Sequence, residues 1–387
     1  MLQGTSQMLF AILRSAICGT KLTESERKTY SEDMLQDLLK ISAKHDVIHL
    51  LVFGLKQNEL ISNQNIEIEK KIFKAVYRYE HLQYEYDNLC ATLEKAQISF
   101  LPLKGSIIRK YYPEPWMRTS CDIDILVHSE DLDDAVIYLS DNLNYVEKER
   151  ATHDVSLFSP TGIHVELHFD LVEEGRANNA IEMLHNVWDN VLLHNDKKYW
   201  YEMNDEFFYF YHIAHMAKHF ESGGCGIRPF LDLWILDSLD NVDRSARDGL
   251  LAKGGLLQFA EISRKLSRMW FGDGESDSLL LKLQDFILSG GAYGTIDNRV
   301  TLQQHKKSGR FGYMFSRLFI PFSKLKRYYP ILEKHPWLMP FMQIRRWFML
   351  FKPDVAKMAK REIAINVSLE KSKAEEMNDF LNCIGLH

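Results

Sequence analysis

Apolar positions early in the chain recur with helical spacing: Leu35, Leu38 and Leu39, then Ile48, Leu51, Val52 and Leu55. This repeat predicts amphipathic helices over residues 33–97, ending in a long helix from Ile66 to Ala96. At Ile98 the period changes. Ile98 to Leu103 is a short apolar run broken by Pro102, and Asp122-Ile123-Asp124-Ile125-Leu126-Val127 favours an extended chain. Successive strand residues face opposite sides, so Asp122 and Asp124 share one face while Ile123, Ile125 and Val127 take the core side. Asp154 to Ser159, the Pro160-Thr161-Gly162 turn and Ile163 to Phe169 read as a hairpin. In its second arm Ile163, Val165, Leu167 and Phe169 alternate with His164, Glu166 and His168. Between the strands, Ser129 to Asn142 predicts a helix and Tyr145 to Lys148 a short strand. From about residue 173 the spacing is mainly helical again.

These changes of period divide the chain into a helical region over 1–97, an α/β core over 98–172, a helical region over 173–300 and a helical C-terminal region over 301–387. The fold class expected is α+β: a mixed sheet, because both a helix and a hairpin separate the strands, with extensive helical N- and C-terminal regions. No internal repeat or low-complexity segment marks the boundaries.

With their polar faces aligned, the two strands bring Glu166 to Asp122 and Asp124. Three carboxylates so placed repel one another unless cations intervene, and hard oxygen ligands suit Mg2+ or Mn2+. Upstream, Leu103-Lys104-Gly105-Ser106 predicts a phosphate-binding turn. Gly105 lets backbone approach an anion, and Ser106 opens an amphipathic segment to Tyr112, setting a hydroxyl beside unpaired N–H groups. Bland alternatives exist for each residue: a solvated strand cap for the Asp pair, a solvated side chain for Lys104, a surface salt bridge for Arg118. Glu166 and the Gly-Ser turn favour the metal reading of the pair, and a guanidinium that brackets phosphates in bidentate fashion favours a nucleotide role for Arg118.

In this order the motifs resemble the nucleotidyltransferase superfamily typified by DNA polymerase β, with its Gly-Ser turn, Asp-x-Asp strand and third acid on a later strand. The chain looks like the bacterial uncharacterised nucleotidyltransferase family within it, through Leu103-Lys104-Gly105, Tyr112-Pro113, Arg118, Asp122 to Val127 and Glu166-Leu167-His168. The likeness extends to His215, Lys218-His219, Gly223-Gly224, Arg228 and Asp232, over roughly residues 35 to 240. Fifteen residues separate Ser106 from Asp122, longer than is usual in the wider superfamily. The resemblance implies transfer of a nucleoside monophosphate from a nucleoside triphosphate, ATP first, to an unidentified acceptor, with release of pyrophosphate. Asp122 and Asp124 would bridge two divalent ions, and Glu166 would hold the acceptor-side ion or act as general base. Lys104, Gly105, Ser106 and Arg118 would bind nucleotide. Residues 173–300 would complete the cleft, with Lys218, His219 and Arg228 touching nucleotide or acceptor and Asp232 as a salt-bridge partner.

Two rival functions fit parts of the same pattern. An Asp-x-Asp glycosyltransferase holds a metal on a nucleotide sugar, but no βαβ nucleotide-binding half precedes Asp122. A non-catalytic binding protein that kept the fold is opposed by three clustered carboxylates, which destabilise a chain that holds no cation. His212, His215 and His219 share a helix face at zinc-like spacing, yet without an H-E-x-x-H pattern a packed or nucleotide-facing cluster is the expectation.

Composition adds three points. At 387 residues and 46% hydrophobic, the chain is long enough for two or three packed units. Five scattered cysteines without C-x-x-C spacing predict neither disulfides nor zinc and fit a cytoplasmic protein. The apolar run from Met8 to Ile12 is cut by Arg14, and no stretch approaches the ~20 residues of a membrane span, so a soluble protein is expected. Charge is uneven. Residues 300–361 hold fourteen Lys and Arg against Glu333 and Asp354, a net of +12 that leaves −18 on the rest of a chain totalling −6. Aromatic residues, Phe315, Phe319, Trp337, Phe341 and Trp347 among them, interleave with these bases. Residues 301–361 therefore suit a nucleic acid, an anionic membrane surface, or plain amphipathic helices whose basic face is solvated or covers the acidic remainder of the chain; the last is the preferred expectation. After Glu362 the mixture of Lys and Glu predicts a helix.

Overall fold

Helices precede any strand: α1 (Leu2–Cys18), α2 (Glu24–Thr29), α3 (Leu35–Lys44), α4 (Ile48–Gln57) and α5 (Ile66–Ala96). This computed structural model describes residues 2–61, 66–151, 153–172, 179–240, 242–307, 309–329, 331–348, 353–368 and 371–386. The chain divides into two units, Met1–His215 with Gly226–Ala292, and Met216–Cys225 with Tyr293–His387.

In the first unit the strands are β1 (Phe100–Pro102), β2 (Asp122–Val127), β3 (Val146–Arg150), β4 (Asp154–Phe158) and β5 (His164–His168). Two short helices interrupt them, α6 (Gly105–Ile108) and α7 (Leu132–Leu143). The sheet order is β1-β2-β5-β4-β3, with β2 parallel to β5 and every other pair antiparallel. The expected mixed sheet is thus present. Pro102, which has no N–H to give a ladder, ends the edge strand β1. At the opposite edge β3 is exposed, bulged between Glu147 and Glu149 and charged at every position after Val146, features that oppose edge-to-edge pairing.

One sheet face is apolar. Ile123, Ile125, Val127, Val155, Leu157, Val165 and Leu167 pack against Leu82, Leu89 and Leu93 of α5 and Ala135 and Leu139 of α7. Burying a side chain of this size contributes roughly 1.5–3 kcal/mol, which fixes the register: a one-residue slip would turn the acids of β2 into this core. The other face carries the polar set. The expected Ser129 to Asn142 helix begins as a 3₁₀ turn at Ser129–Asp131 and runs as α7 to Asn144, whose left-handed φ of +55° ends it.

Beyond the sheet come α8 (Asn179–His185), the hairpin β6 (Val191–Leu193) and β7 (Tyr201–Met203), α9 (Asp205–Glu221), α10 (Arg228–Asp237), α11 (Arg244–Lys253), α12 (Leu257–Phe271) and α13 (Ser278–Ser289). The stretch is mainly helical, as expected, and the β6–β7 hairpin is its addition to that reading; three-residue strands are too short to show a period. α1 packs on α12, with Phe10 stacked on Trp270 at 4.2 Å, so helices from both ends of this unit share one core.

The second unit is helical: the end of α9, then α14 (Ile296–Lys306), α15 (Arg310–Leu318), α16 (Phe322–Tyr328), α17 (Ile331–Lys334), α18 (Met339–Phe348), α19 (Pro353–Ser368) and α20 (Lys371–Cys383). Glu362 of α19, buried, accepts from Arg299, Tyr313 and Arg317 and ties α14, α15 and α19 together.

Candidate active site

Strand pairing lays out the polar face as a grid. Asp122 pairs with His164, Asp124 with Glu166 and Leu126 with His168 across β2–β5, while Asp154 and Ser156 pair with His168 and Glu166 across β4–β5. The three carboxylates predicted from alternation therefore stand together. Asp124 is the most enclosed, at 4% exposure. Lys104 Nζ donates to its Oδ1 at 2.7 Å and His168 Nε2 donates to the same oxygen at 3.0 Å. A carboxylate only accepts, so Nε2 carries the proton. His168 Nε2 also lies 3.4 Å from Glu166 Oε2.

Charge decides how these groups titrate. Burial opposes ionisation of Asp124, but Lys104 and His168 outweigh it and hold the carboxyl well below the usual range. Burial likewise works against the charge on Lys104, and Asp124 overcomes it, keeping the ammonium firmly protonated. Asp122 goes the other way: burial first, then the charge of Asp124, raises it, with Lys104 only partly compensating. Three carboxylates against the one ammonium of Lys104 leave the cluster short of positive charge. Its donor set fits a divalent cation. In each of two groups, Asp122 with His164 and Glu166, and Asp124 with Glu166 and His168, one ligand atom from every side chain lies within 4.8 Å of the others. A third such group, His153 with Asp154 and His168, adjoins them. Carboxylate oxygens with imidazole accommodate Mn2+ as well as Mg2+.

The turn before β2 is tighter than its sequence implies. Lys104 has φ +45° and ψ −118°, a conformation that favours glycine, and it is held by the β1–β2 pairing and by Leu103 N–H donating to the Asp124 carbonyl at 3.0 Å. The expected helix from Ser106 to Tyr112 is one α-turn followed by a 3₁₀ turn at Arg109–Tyr111. Its N–H groups are mostly engaged: Ser106 donates to Leu103 and Ile107 to Lys104. Gly105 sits close against the loop before β2: a Cβ there would stand 3.2 Å from Ser120 Cβ, so Ser120 would have to give by a few tenths of an ångström.

Arg118, expected to meet a triphosphate, has intramolecular partners. Its Nε and Nη2 grip Asp232 at 2.7 and 2.8 Å, Nη1 donates to the Thr119 carbonyl at 2.7 Å, and Tyr112 adds a 2.7 Å bond to Asp232. Asp232, read as a salt-bridge partner, is one. Arg228 Nη1 donates to Asp46 at 2.7 Å and to the Thr119 carbonyl at 3.2 Å. Both arginines thus fasten the Thr119 end of the loop leading to β2. His212 is engaged with the Pro229 carbonyl at 3.0 Å, and the metal-ligating groups among the described residues lie elsewhere. Lys218 and His219 belong to the second unit, where the His219 ring faces Tyr293 at 6.2 Å.

A family profile described as uncharacterised nucleotidyltransferase matches residues 31–272 of this chain. The chain belongs to that family. No curated protein and no solved structure matches it. The match spans Lys104, both aspartates of β2 and Glu166, so the family's nucleotidyl chemistry and this cluster fall within the same stretch.

Sequence reasoning overlooked several residues around this nucleotidyltransferase core. Arg109 is buried, donates from Nε to the Gly105 carbonyl at 2.8 Å and from Nη2 to Ser120 Oγ at 2.7 Å, and burial pushes its pKa down to about 10. It clamps the glycine turn to the start of β2. Its position four residues after Gly105 was the available signal. His153 and Asp154 come to His168 only through the β4–β5 register.

Proposed function

We infer that this protein transfers a nucleoside monophosphate from a nucleoside triphosphate, with ATP the first donor to test, to an acceptor nucleophile, releasing pyrophosphate. The observation that carries this reading is the convergence of Asp122, Asp124 and Glu166 on one sheet face beside Lys104, in a chain whose family is nucleotidyltransferase. Asp122, Asp124 and Glu166 would hold Mg2+ or Mn2+, which supplies Lewis-acid stabilisation of negative charge on phosphate oxygens.

The residues do the remainder. Lys104 neutralises Asp124 and, in this reading, contacts phosphate oxygens of the nucleotide. Glu166, at the middle of β5 and less enclosed than Asp124, either holds the acceptor-side ion or takes the acceptor's proton as the acceptor's own nucleophilic atom bonds to the α-phosphorus. The bond from that phosphorus to the bridging oxygen breaks, and pyrophosphate leaves with the electron pair. Arg118 and Arg228 act at a distance, by fixing the Thr119 end of the loop.

The test is transfer of label from α-phosphate-labelled nucleoside triphosphates onto small molecules, RNA and proteins of a cell extract, with Mg2+ or Mn2+. Asp124→Asn is expected to lower transfer on the order of 10³-fold, equivalent to about 4 kcal/mol of transition-state stabilisation. Equal labelling by the variant, or turnover of nucleotide sugars with none of triphosphates, would overturn the assignment.

A further inference from the structure

Two helices of the second unit are amphipathic in the reverse sense. The side of α15 that packs inward is polar: buried Tyr313 and half-exposed Arg317 both donate to Glu362 of α19. Its outward side carries Phe311, Met314, Phe315 and Leu318, the i, i+3, i+4, i+7 stripe that ordinarily faces a core. Phe311 is 90% exposed and Phe315 65%. In α18 the buried residue is Gln343, which donates to the Ile320 carbonyl, while Phe341, Ile344 and Phe348 are exposed.

The two helices are fastened to each other. Trp347 Nε1 and Arg346 Nη2 both donate to the Leu318 carbonyl, and the Phe319 ring meets Phe315 at 4.8 Å and Trp347 at 5.4 Å. Large apolar side chains left in water forgo roughly 1.5–3 kcal/mol each, and a soluble chain seldom presents so many together unless the patch serves an interaction. The surrounding charge tells which. Lys307, Arg310, Lys324 and Arg345 are exposed in the same stretch, within the segment of net +12.

We propose that this face is a docking surface for an anionic lipid bilayer, entered by the Phe311–Phe315 and Phe341–Phe348 stripes and flanked by lysine and arginine at the headgroups. Apolar insertion with a cationic rim is the composition of interfacial helices. The proposed contact is that of helices lying in the interface; no helix of the described residues is long and apolar enough to cross a membrane. A nucleic acid accounts for the bases and some rings but not for Met314, Leu318 and Ile344, which offer no π-face for stacking. A second copy would set +12 against +12.

The test is co-sedimentation of the full chain with vesicles of phosphatidylglycerol and phosphatidylcholine, against phosphatidylcholine alone. Wild type is expected to bind the anionic vesicles, and the double variant Phe311→Asp, Phe315→Asp to lose about tenfold or more of that binding with an unchanged melting temperature. Phe341→Asp, on the other helix, provides an independent check with the same expectation. Absence of wild-type binding, or undiminished binding by folded variants, overturns the proposal. So does high-affinity retention of a single-stranded oligonucleotide with vesicle binding at background, or a dimer in light scattering that these variants dissolve. Nucleotidyl transfer to a soluble acceptor does not enter this readout, so either reading can fail alone.

Discussion

Lys104 combines two properties at odds with ordinary surface lysines. Its backbone sits at φ +45°, a conformation costing roughly 1–3 kcal/mol for a residue with a Cβ, and its ammonium is tied to buried Asp124. The strain and the ion pair make separable predictions. Lys104→Met keeps the strain and strips Asp124 of its main cation, so both stability and turnover should fall. Lys104→Gly loses the same charge but relieves the backbone, and should melt above the Met variant by roughly 1–2 kcal/mol of stability. Thermal melts of the pair decide; a Gly variant no more stable than Met would show that the turn is not strained. The sequence displayed Lys104 next to Gly105 but not this inversion, in which lysine rather than glycine takes the positive φ.

At the scale of elements, the Arg118–Asp232 pair joins the turn at Pro115–Met117 to α10. Burial disfavours the charged form of Asp232, but Arg118, His212 and Tyr112 together hold its carboxyl below the ordinary range. Because the folded value is depressed, this group's contribution is present above the unfolded carboxylate pKa and lost as pH falls through the folded value. Arg118→Met leaves the buried carboxylate alone and should lower stability by about 3–5 kcal/mol at pH 7. The deficit should narrow toward pH 4 as Asp232 in the variant takes up a proton, which denaturant titrations at several pH values measure. A deficit constant with pH would mean that lost packing, not charge, is responsible. Strands β2 and β5 were legible from alternation, and the long α5 from helical spacing. The β6–β7 hairpin was not, since three residues per strand leave no period to read.

Over the whole molecule, acid sensitivity has an identifiable contributor. His45 is fully enclosed at the end of α3, and burial, followed by the charge of Lys44, pushes its pKa down to about 4 from an ordinary value of 6.5. Above pH 6.5 the ring is neutral in both states and its contribution is intact; as pH falls from 6.5 toward 4 the unfolded chain binds the proton and stability drains away. The shift corresponds to a loss on the order of 3 kcal/mol across that window. His45→Leu should flatten the fall in unfolding free energy between pH 6.5 and 4, and an unchanged slope would reassign the effect to His49 and His212, whose pKa values burial also lowers.

Period, charge and residue type by themselves determined the α+β class, the face on which Asp122, Asp124 and Glu166 stand, and the family to which their order points. Those are local properties: a strand alternates wherever it lies, and three acids on alternating positions need only a common sheet to meet. What pairs with what was decided by the tertiary structure. The parallel β2–β5 register set Asp124 opposite Glu166 and brought His168 to both. Folding drew Asp232, more than a hundred residues away, onto Arg118. Aromatic residues interleaved with bases over 301–361 pointed to amphipathic helices but not to which way their faces turn; packing of Tyr313 against Glu362 sets the apolar stripe of α15 outward. Partner choice across such distances depends on geometry that no short window of sequence contains.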